Sequence, residues 1–244
     1  MVKKLLNLTY LIPCTIFIGV AANNVLAQSN EIDPMLQVEK DNCQGTTEVS
    51  YRSQKLISPD EKTTLYFEGV LRRVGQKGDV GGGGGGENYC YPLRGRQTLN
   101  TTLIIETPTP RRIALPSGKG SYAVINPISF SVDNRYLILR VHYGFDGGDG
   151  DTTFRVINLQ RKYQTLPLQT CRNSYGSGKY KGFVSSSEIL VVCGDGSFEV
   201  ANLEKESVQQ VSGSFASNAN VAKGYGTLLE QTTILKRQIF PPRK

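Results

Sequence analysis

Beyond residue 30 the apolar side chains come in short bursts, and no helical spacing is sustained over a window of about 11 residues. Val, Ile, Leu, Thr and Tyr gather in brief runs separated by Gly, Asn and Asp. That pattern predicts strands at 46–50, 64–72, 99–106, 121–125, 136–142, 153–159, 181–184, 188–193, 197–203, 208–211, 226–230 and 233–239. The one helical candidate is 29–40. Many short strands with turns between them predict an all-β chain built as a sandwich, a barrel or a propeller.

Part of the pattern recurs. Phe154, Val156, Asn158 and Leu159 return as Phe198, Val200, Asn202 and Leu203, 44 residues later. Upstream, the run from Phe130 to Ile138 parallels that from Phe183 to Val191 at an offset of 53, and the glycine-rich loop 142–150 absorbs the difference of 9. Alternation sets Phe198 and Val200 on one face of their strand and Glu199 on the other. Phe130-Ser131-Val132-Asp133-Asn134, with Asp195-Gly196 leading into the run Phe198 to Leu203, resembles the blades of WD40 and TolB-like β-propellers. There a Phe-Ser-Pro-Asp-Gly turn precedes an apolar strand, and an Asp-Gly turn leads to a strand ending near Trp-Asp-Leu. Val132 stands in for the proline, Asn134 for the glycine, Ala201 for the tryptophan and Asn202 for the aspartate. The resemblance covers residues 118–211 and implies a small β-propeller or blade-like meander sheets. A β-sandwich or distorted barrel with one duplicated element is the alternative, as is a chance coincidence of two meanders. A period near 44 corresponds to four strands per blade, and the chain beyond residue 27 holds between four and five such periods.

The amino terminus changes the setting. Lys3 and Lys4 precede an apolar stretch, densest at 11–22 and containing Pro13, and Val25-Leu26-Ala27 fits the small-residue rule for cleavage before Gln28. Residues 1–27 therefore read as a signal peptide, whose apolar stretch 11–22 is too short for a bilayer span of about 20 residues. The chain is expected in the periplasm or secreted, and not as an integral membrane protein once the signal is removed. Cys14 leaves with the signal. Cys43, Cys90, Cys171 and Cys193 remain, an even number suited to oxidative pairing. Three pairings are open; Cys171–Cys193 and Cys43–Cys90 are favoured because each closes a short loop beside a strand. Closing the shorter of these loops stabilises by about 3 kcal/mol in the chain-entropy account. No two cysteines have zinc-finger spacing and His142 is the only histidine, which argues against structural zinc.

Residues 28–75 read as an amino-terminal β unit, 76–88 as a Gly-rich flexible loop with six consecutive glycines, 89–240 as the main β domain and 241–244 as a tail. A lasso on one continuous domain is the alternative. The formal charge of +7 falls to +5 without Lys3 and Lys4, and basic residues sit singly or in pairs beside turns. They lack the interleaved aromatics of a nucleic-acid surface, so no nucleic-acid partner is expected.

Few residues suggest chemistry. Asp146, Asp149 and Asp151 share a loop whose glycines could turn carbonyls inward, the donor type calcium prefers. The EF-hand order is missing, and an ordinary solvent loop is the favoured reading. His142 lacks a G-x-S-x-G elbow to serve. Asp79, Glu87, Asp149 and Asp195 are loop acids of the kind a glycosidase pairs across a cleft, with nothing to specify a pair. Tyr143, Phe145, Tyr175 and Tyr180 lie at turns and strand ends, where tyrosine makes good contact material, although tyrosines also cap sheet cores. The expectation is an exported non-catalytic binding or structural domain that meets protein, glycan or envelope material. A glycan-directed hydrolase using loop carboxylates is the alternative.

Overall fold

The computed structural model describes residues 33–35, 43–81, 90–91, 95–115, 122–143, 152–172 and 178–241, all within the unit Glu31–Lys244. The strands β1 (Thr46–Arg52), β2 (Lys55–Ile57), β3 (Thr64–Val74), β4 (Val80–Gly81), β5 (Cys90–Tyr91), β6 (Arg96–Thr107) and β7 (Arg111–Leu115) come first. They are followed by β8 (Ala123–Phe130), β9 (Tyr136–Tyr143), β10 (Thr152–Asn158) and β11 (Gln164–Thr165). Next come β12 (Lys179–Phe183), β13 (Glu188–Val192), β14 (Phe198–Asn202) and β15 (Ser207–Val211). A short helix α1 (Gly213–Asn218), capped by Ser212, precedes β16 (Thr227–Leu229) and β17 (Thr233–Phe240). The expected helix at 29–40 lies outside the described residues except for Asp33, Pro34 and Met35, and the last two form a turn.

Every pairing is antiparallel. The first sheet is a meander β2-β3-β6-β7, widened by β16 beside β2 and by β1 and β17 beside the carboxyl half of β3. The second is β8-β9-β10-β11 and the third β12-β13-β14-β15, with β4 and β5 forming a small separate ladder. The chain is all-β with three main sheets, and among the described residues none closes on itself as a barrel or propeller.

The turn chemistry of the first two meanders is the same. Ser131 N donates to Tyr136 O (2.9 Å), Asn134 N to Ser131 O (3.0 Å), and Ser131 Oγ to Asp133 Oδ1 (2.7 Å). Between β2 and β3, Ser58 N donates to Thr63 O (2.8 Å), Glu61 N to Ser58 O (2.9 Å), and Ser58 Oγ to Asp60 Oδ1 (2.6 Å). Asn134 and Glu61 both sit at φ 57°, the left-handed position that glycine would fill. Ser58-Pro59-Asp60 thus supplies the proline that Val132 replaces in the later turn. The third meander shortens this turn by one residue: Phe130 pairs with Leu137, but Phe183 with Ile189. The upstream offset is therefore 53 before the turn and 52 after it, where the sequence parallel carried 53 throughout.

Burial shows how the sheets stack. Leu65, Phe67, Leu103 and Ile105 of the first sheet pack against Ile125, Leu137, Leu139, Val141 and Ile157 of the second. The opposite face of the second sheet, with Tyr136, Ile138, Phe154 and Val156, packs against Phe183, Ile189, Val191, Ala201 and Leu203 of the third. The middle sheet is covered on both faces, which is why β9 begins as the unbroken apolar run Tyr136-Leu137-Ile138-Leu139. A third cluster joins Met35, Val49, Tyr51, Leu71, Tyr122 and Val124.

The carboxyl-terminal segment runs back across the stack. Ala222 bridges Phe183 of the third sheet, Tyr225 bridges Phe130 of the second, and β16 and β17 pair with β2 and β1 of the first. Cys43–Cys90 and Cys171–Cys193 are disulfides, with S–S distances of 2.03 and 2.01 Å, in the favoured pairing.

Candidate functional site: a groove at the end of the first sheet

The register of β17, β1 and β3 aligns Phe240, Thr46 and Val74 across three strands, with Gln238, Glu48 and Arg72 as the next row on the same face. Phe240 and Val74 are each 44% exposed, so two large apolar groups stand in solvent at the sheet's end. They line an open groove of about 900 Å³ with Gln44, Lys77 and Pro241, a volume within the range of ligand clefts. Glu48 and Arg72 meet along its floor at 2.6 Å.

Buried chemistry holds the walls. Arg73 and Asp79 form a 2.6 Å ion pair with both side chains fully buried, and Arg73 Nη1 donates to Cys43 O (2.6 Å). Asp79 Oδ2 also accepts from Gln76 N (2.8 Å), folding the Gly75–Asp79 turn that carries Lys77. Gly75 N donates to Gly45 O (2.8 Å), and a Cβ on Gly75 would lie 1.9 Å from Cys43 O, so only glycine allows this approach. The Cys43–Cys90 disulfide anchors the same strand entry. The groove can therefore present one flat ring, aliphatic surface and a charged pair in fixed positions. That mixture suits a glycan or an extended peptide, with apolar stacking for area and charged hydrogen bonds for orientation.

Asp146, Asp149, Asp151, Glu87, Phe145 and Tyr175 lie outside the described residues. Tyr143, on β9, lies toward the first sheet, and Tyr180, on β12 of the third sheet, packs against the opposite face of the second. Tyr143 packs beside the core shared with the first sheet, and its hydroxyl accepts from Arg155 Nη2, whose guanidinium also stands 5.7 Å from the ring. Tyr180 packs between Phe154 and Phe183 at ring distances of 6.4 and 5.9 Å, and burial raises its hydroxyl's pKa against the opposing effect of Ser129. His142, next to last in β9, lies opposite Thr152 and Val124. Asp79 is committed to Arg73, and Asp195 is exposed in the β13–β14 turn, its carboxyl held below the usual range by Ser197's hydroxyl and amide.

Cys171, Cys193 and Glu199 bring three potential ligand atoms within 4.8 Å of one another. The two sulfurs are bonded to each other, so neither is a thiolate, and Glu199 Oε2 accepts from Cys171 N (2.7 Å). The oxidised cluster braces the third sheet and is a poor ligand set.

The groove itself was missed in the sequence. Val74 and Phe240 look like ordinary strand ends 166 positions apart, and only the pairing of β1 with β17 brings them together. The chain matches no known protein family, and no curated protein or solved structure is similar to it. Among the described residues no helix is long and apolar enough to cross a membrane.

Proposed function

We propose that this chain is an exported, disulfide-braced β domain that binds a protein or glycan of the cell envelope through the Phe240–Thr46–Val74 groove, without catalysing a reaction. The observation that carries the reading is the exposed apolar row beside the Glu48–Arg72 pair, fixed from beneath by a buried ion pair and a disulfide. Placement in the periplasm or outside the cell is supported by the signal-like leader and by two disulfides, which persist in oxidising compartments. The three meanders, the first two with the same turn chemistry and all with a common edge bridged by the carboxyl-terminal segment, read as successive blade-like units. A rigid stack of that kind suits the presentation of a fixed surface.

The test is a binding screen of the mature chain against envelope fractions and a glycan panel, repeated with Phe240→Ala and Val74→Ser. Truncating a central aromatic contact is expected to weaken binding by roughly tenfold or more, with melting unchanged. A ligand whose affinity ignores both substitutions would move the site elsewhere. Turnover of a bound glycan would replace the binding reading with the hydrolase one.

A further inference from the structure

A second cavity, of about 280 Å³, opens at the other end of β3, where turns of the first two sheets meet. Its floor follows a row across the first sheet: Leu65 of β3 lies opposite Ile105 of β6, and Ile105 opposite Arg111 of β7. Leu65 and Ile105 are buried against the second sheet, and Ile113, two residues after Arg111, packs on the same core. Alternation therefore gives Arg111 a place in an apolar row, on the face toward the second sheet. Its neighbour Arg112 pairs with Glu68 at 3.0 Å, and Arg161, in the β10–β11 turn, pairs with Glu206 at 2.9 Å. Arg111 has no ion-pair partner among the described residues.

The opposite wall is the β10–β11 turn, through Leu159 and Tyr163. Its counterpart in the third sheet is one residue shorter: Asn158 pairs with Gln164, but Asn202 with Ser207. The fourth residue after each asparagine is left-handed, Lys162 at φ 50° and Glu206 at φ 52°. Only the longer turn adds a second such residue, Tyr163 at φ 61°. A bulky side chain is an outlier in that region, and such residues gather at ligand clamps. Asn134 of the β8–β9 turn also lines the cavity, and its Oδ1 is buried without a hydrogen-bond partner.

We propose that this cavity binds a small organic acid, a flat apolar body carrying one carboxylate and one hydrogen-bond donor. The body rests on Leu65, Ile105 and Leu159 beside the Tyr163 ring. Arg111 takes the carboxylate, which its fork of N–H donors matches, and the ligand's donor answers Asn134 Oδ1. Charge at the rim selects an anion. Lys162, exposed beside Tyr163, also lacks an ion-pair partner among the described residues. The acids on the adjoining strand ends are already held, Asp133 by Arg135 at 2.5 Å and Glu106 by Lys55 at 3.2 Å. A volume of about 280 Å³ falls just under the ~300 Å³ at which clefts for drug-sized ligands begin, so the ligand has a single ring.

Chemical-shift titration of the mature, oxidised chain tests this, with para-hydroxyphenylacetate, its neutral amide and phenylacetate as probes. The hydroxylated acid should shift the Arg111, Asn134 and Tyr163 signals saturably, with a Kd of about 1 mM or below. Its amide should bind roughly fivefold more weakly, and phenylacetate, which lacks the donor, more weakly than the hydroxylated acid. Arg111→Gln should erase the acid's advantage over the amide and leave the spectrum elsewhere in place. Phe240→Ala, in the groove, should change none of these affinities. The absence of saturable shifts at the three residues overturns the proposal, as does equal binding of acid and amide. A preference for the acid that survives Arg111→Gln also overturns it; new self-association of that variant would then make Arg111 a charge that keeps the β7 edge from pairing. Loss of binding in Phe240→Ala would place the probes in the groove instead.

Discussion

Arg73 and Asp79 show what one buried pair does in this chain. Both side chains are inaccessible, their contact is 2.6 Å, and the same arginine holds Cys43 O. Asp79→Asn keeps the shape but removes the carboxylate charge that meets the guanidinium at 2.6 Å. A loss of about 3–5 kcal/mol in urea unfolding is expected, and most of it should return in the double variant Arg73→Met, Asp79→Leu, which removes both charges. Failure of the double variant to recover would assign the cost to the backbone bonds to Cys43 and Gln76. Tyr51 gives a second test at this scale. Its ring is fully buried, and its hydroxyl accepts from Ile125 N at 3.2 Å. Burial, the largest cause, with Asp33 adding to it, pushes its pKa up to about 12. The folded-state value lies above the unfolded one, so the protonated phenol's contribution is whole below pH 10 and is lost as pH rises through 12. At pH 11 the loss is about 1.4 kcal/mol. Tyr51→Phe should cost about 1 kcal/mol at neutral pH, through the orphaned Ile125 amide, and flatten the decline between pH 10 and 12. An equally steep decline in the variant would assign the alkaline sensitivity to other tyrosines, Tyr180 first among them.

At the scale of elements, the sequence and the structure agree where local chemistry decides. Asn134 takes the left-handed turn position of the glycine it replaces, and Asn158 Oδ1 accepts from Gln160 N and Arg161 N at 3.0 Å. Asn202 Oδ1 caps its own turn through Lys205 N (2.9 Å), so the recurring asparagines mark equivalent strand ends for a physical reason. The apolar runs of β9 and β13, and the favoured disulfide pairing, were legible for similar local reasons. Other features depend on pairing across long separations. The Ser58-Pro59-Asp60 turn went unread because β2, only three residues long, gives little periodicity to flag a strand before it. Arg111–Leu115 was hidden by the proline-rich connector ahead of it, and β8 runs on through Pro127 with a bulge. The face of β14 could not be assigned from alternation alone: Phe198 and Val200 share a side, but which side meets the second sheet depends on the register with β13.

At the scale of the molecule, the carboxyl-terminal segment decides whether the sheets act together. It touches the third sheet at Phe183, the second at Phe130 and the first along β2 and β1, so its bonds cross boundaries that the meanders do not. Phe183 N donates to Ala222 O (2.7 Å) and Ala222 N to Phe183 O (2.9 Å). That approach is close because Gly182 sits at φ 149°, where a Cβ would lie 2.4 Å from Ala222 O. Gly196 provides the control: it also has a positive φ, 82°, but a Cβ there meets nothing within 4 Å. Both substitutions to alanine carry backbone strain of about 1 kcal/mol, and only Gly182→Ala adds a clash, of about 1–3 kcal/mol. If the segment binds the stack into one cooperative unit, Gly182→Ala should lower stability more than Gly196→Ala and also speed amide exchange at Tyr225 N, two bridges away from the substitution. Equal losses from the two variants, with exchange unchanged at Tyr225, would mean the sheets hold together by their buried faces alone. The distinction bears on the groove, because Phe240 reaches it only at the end of this same segment.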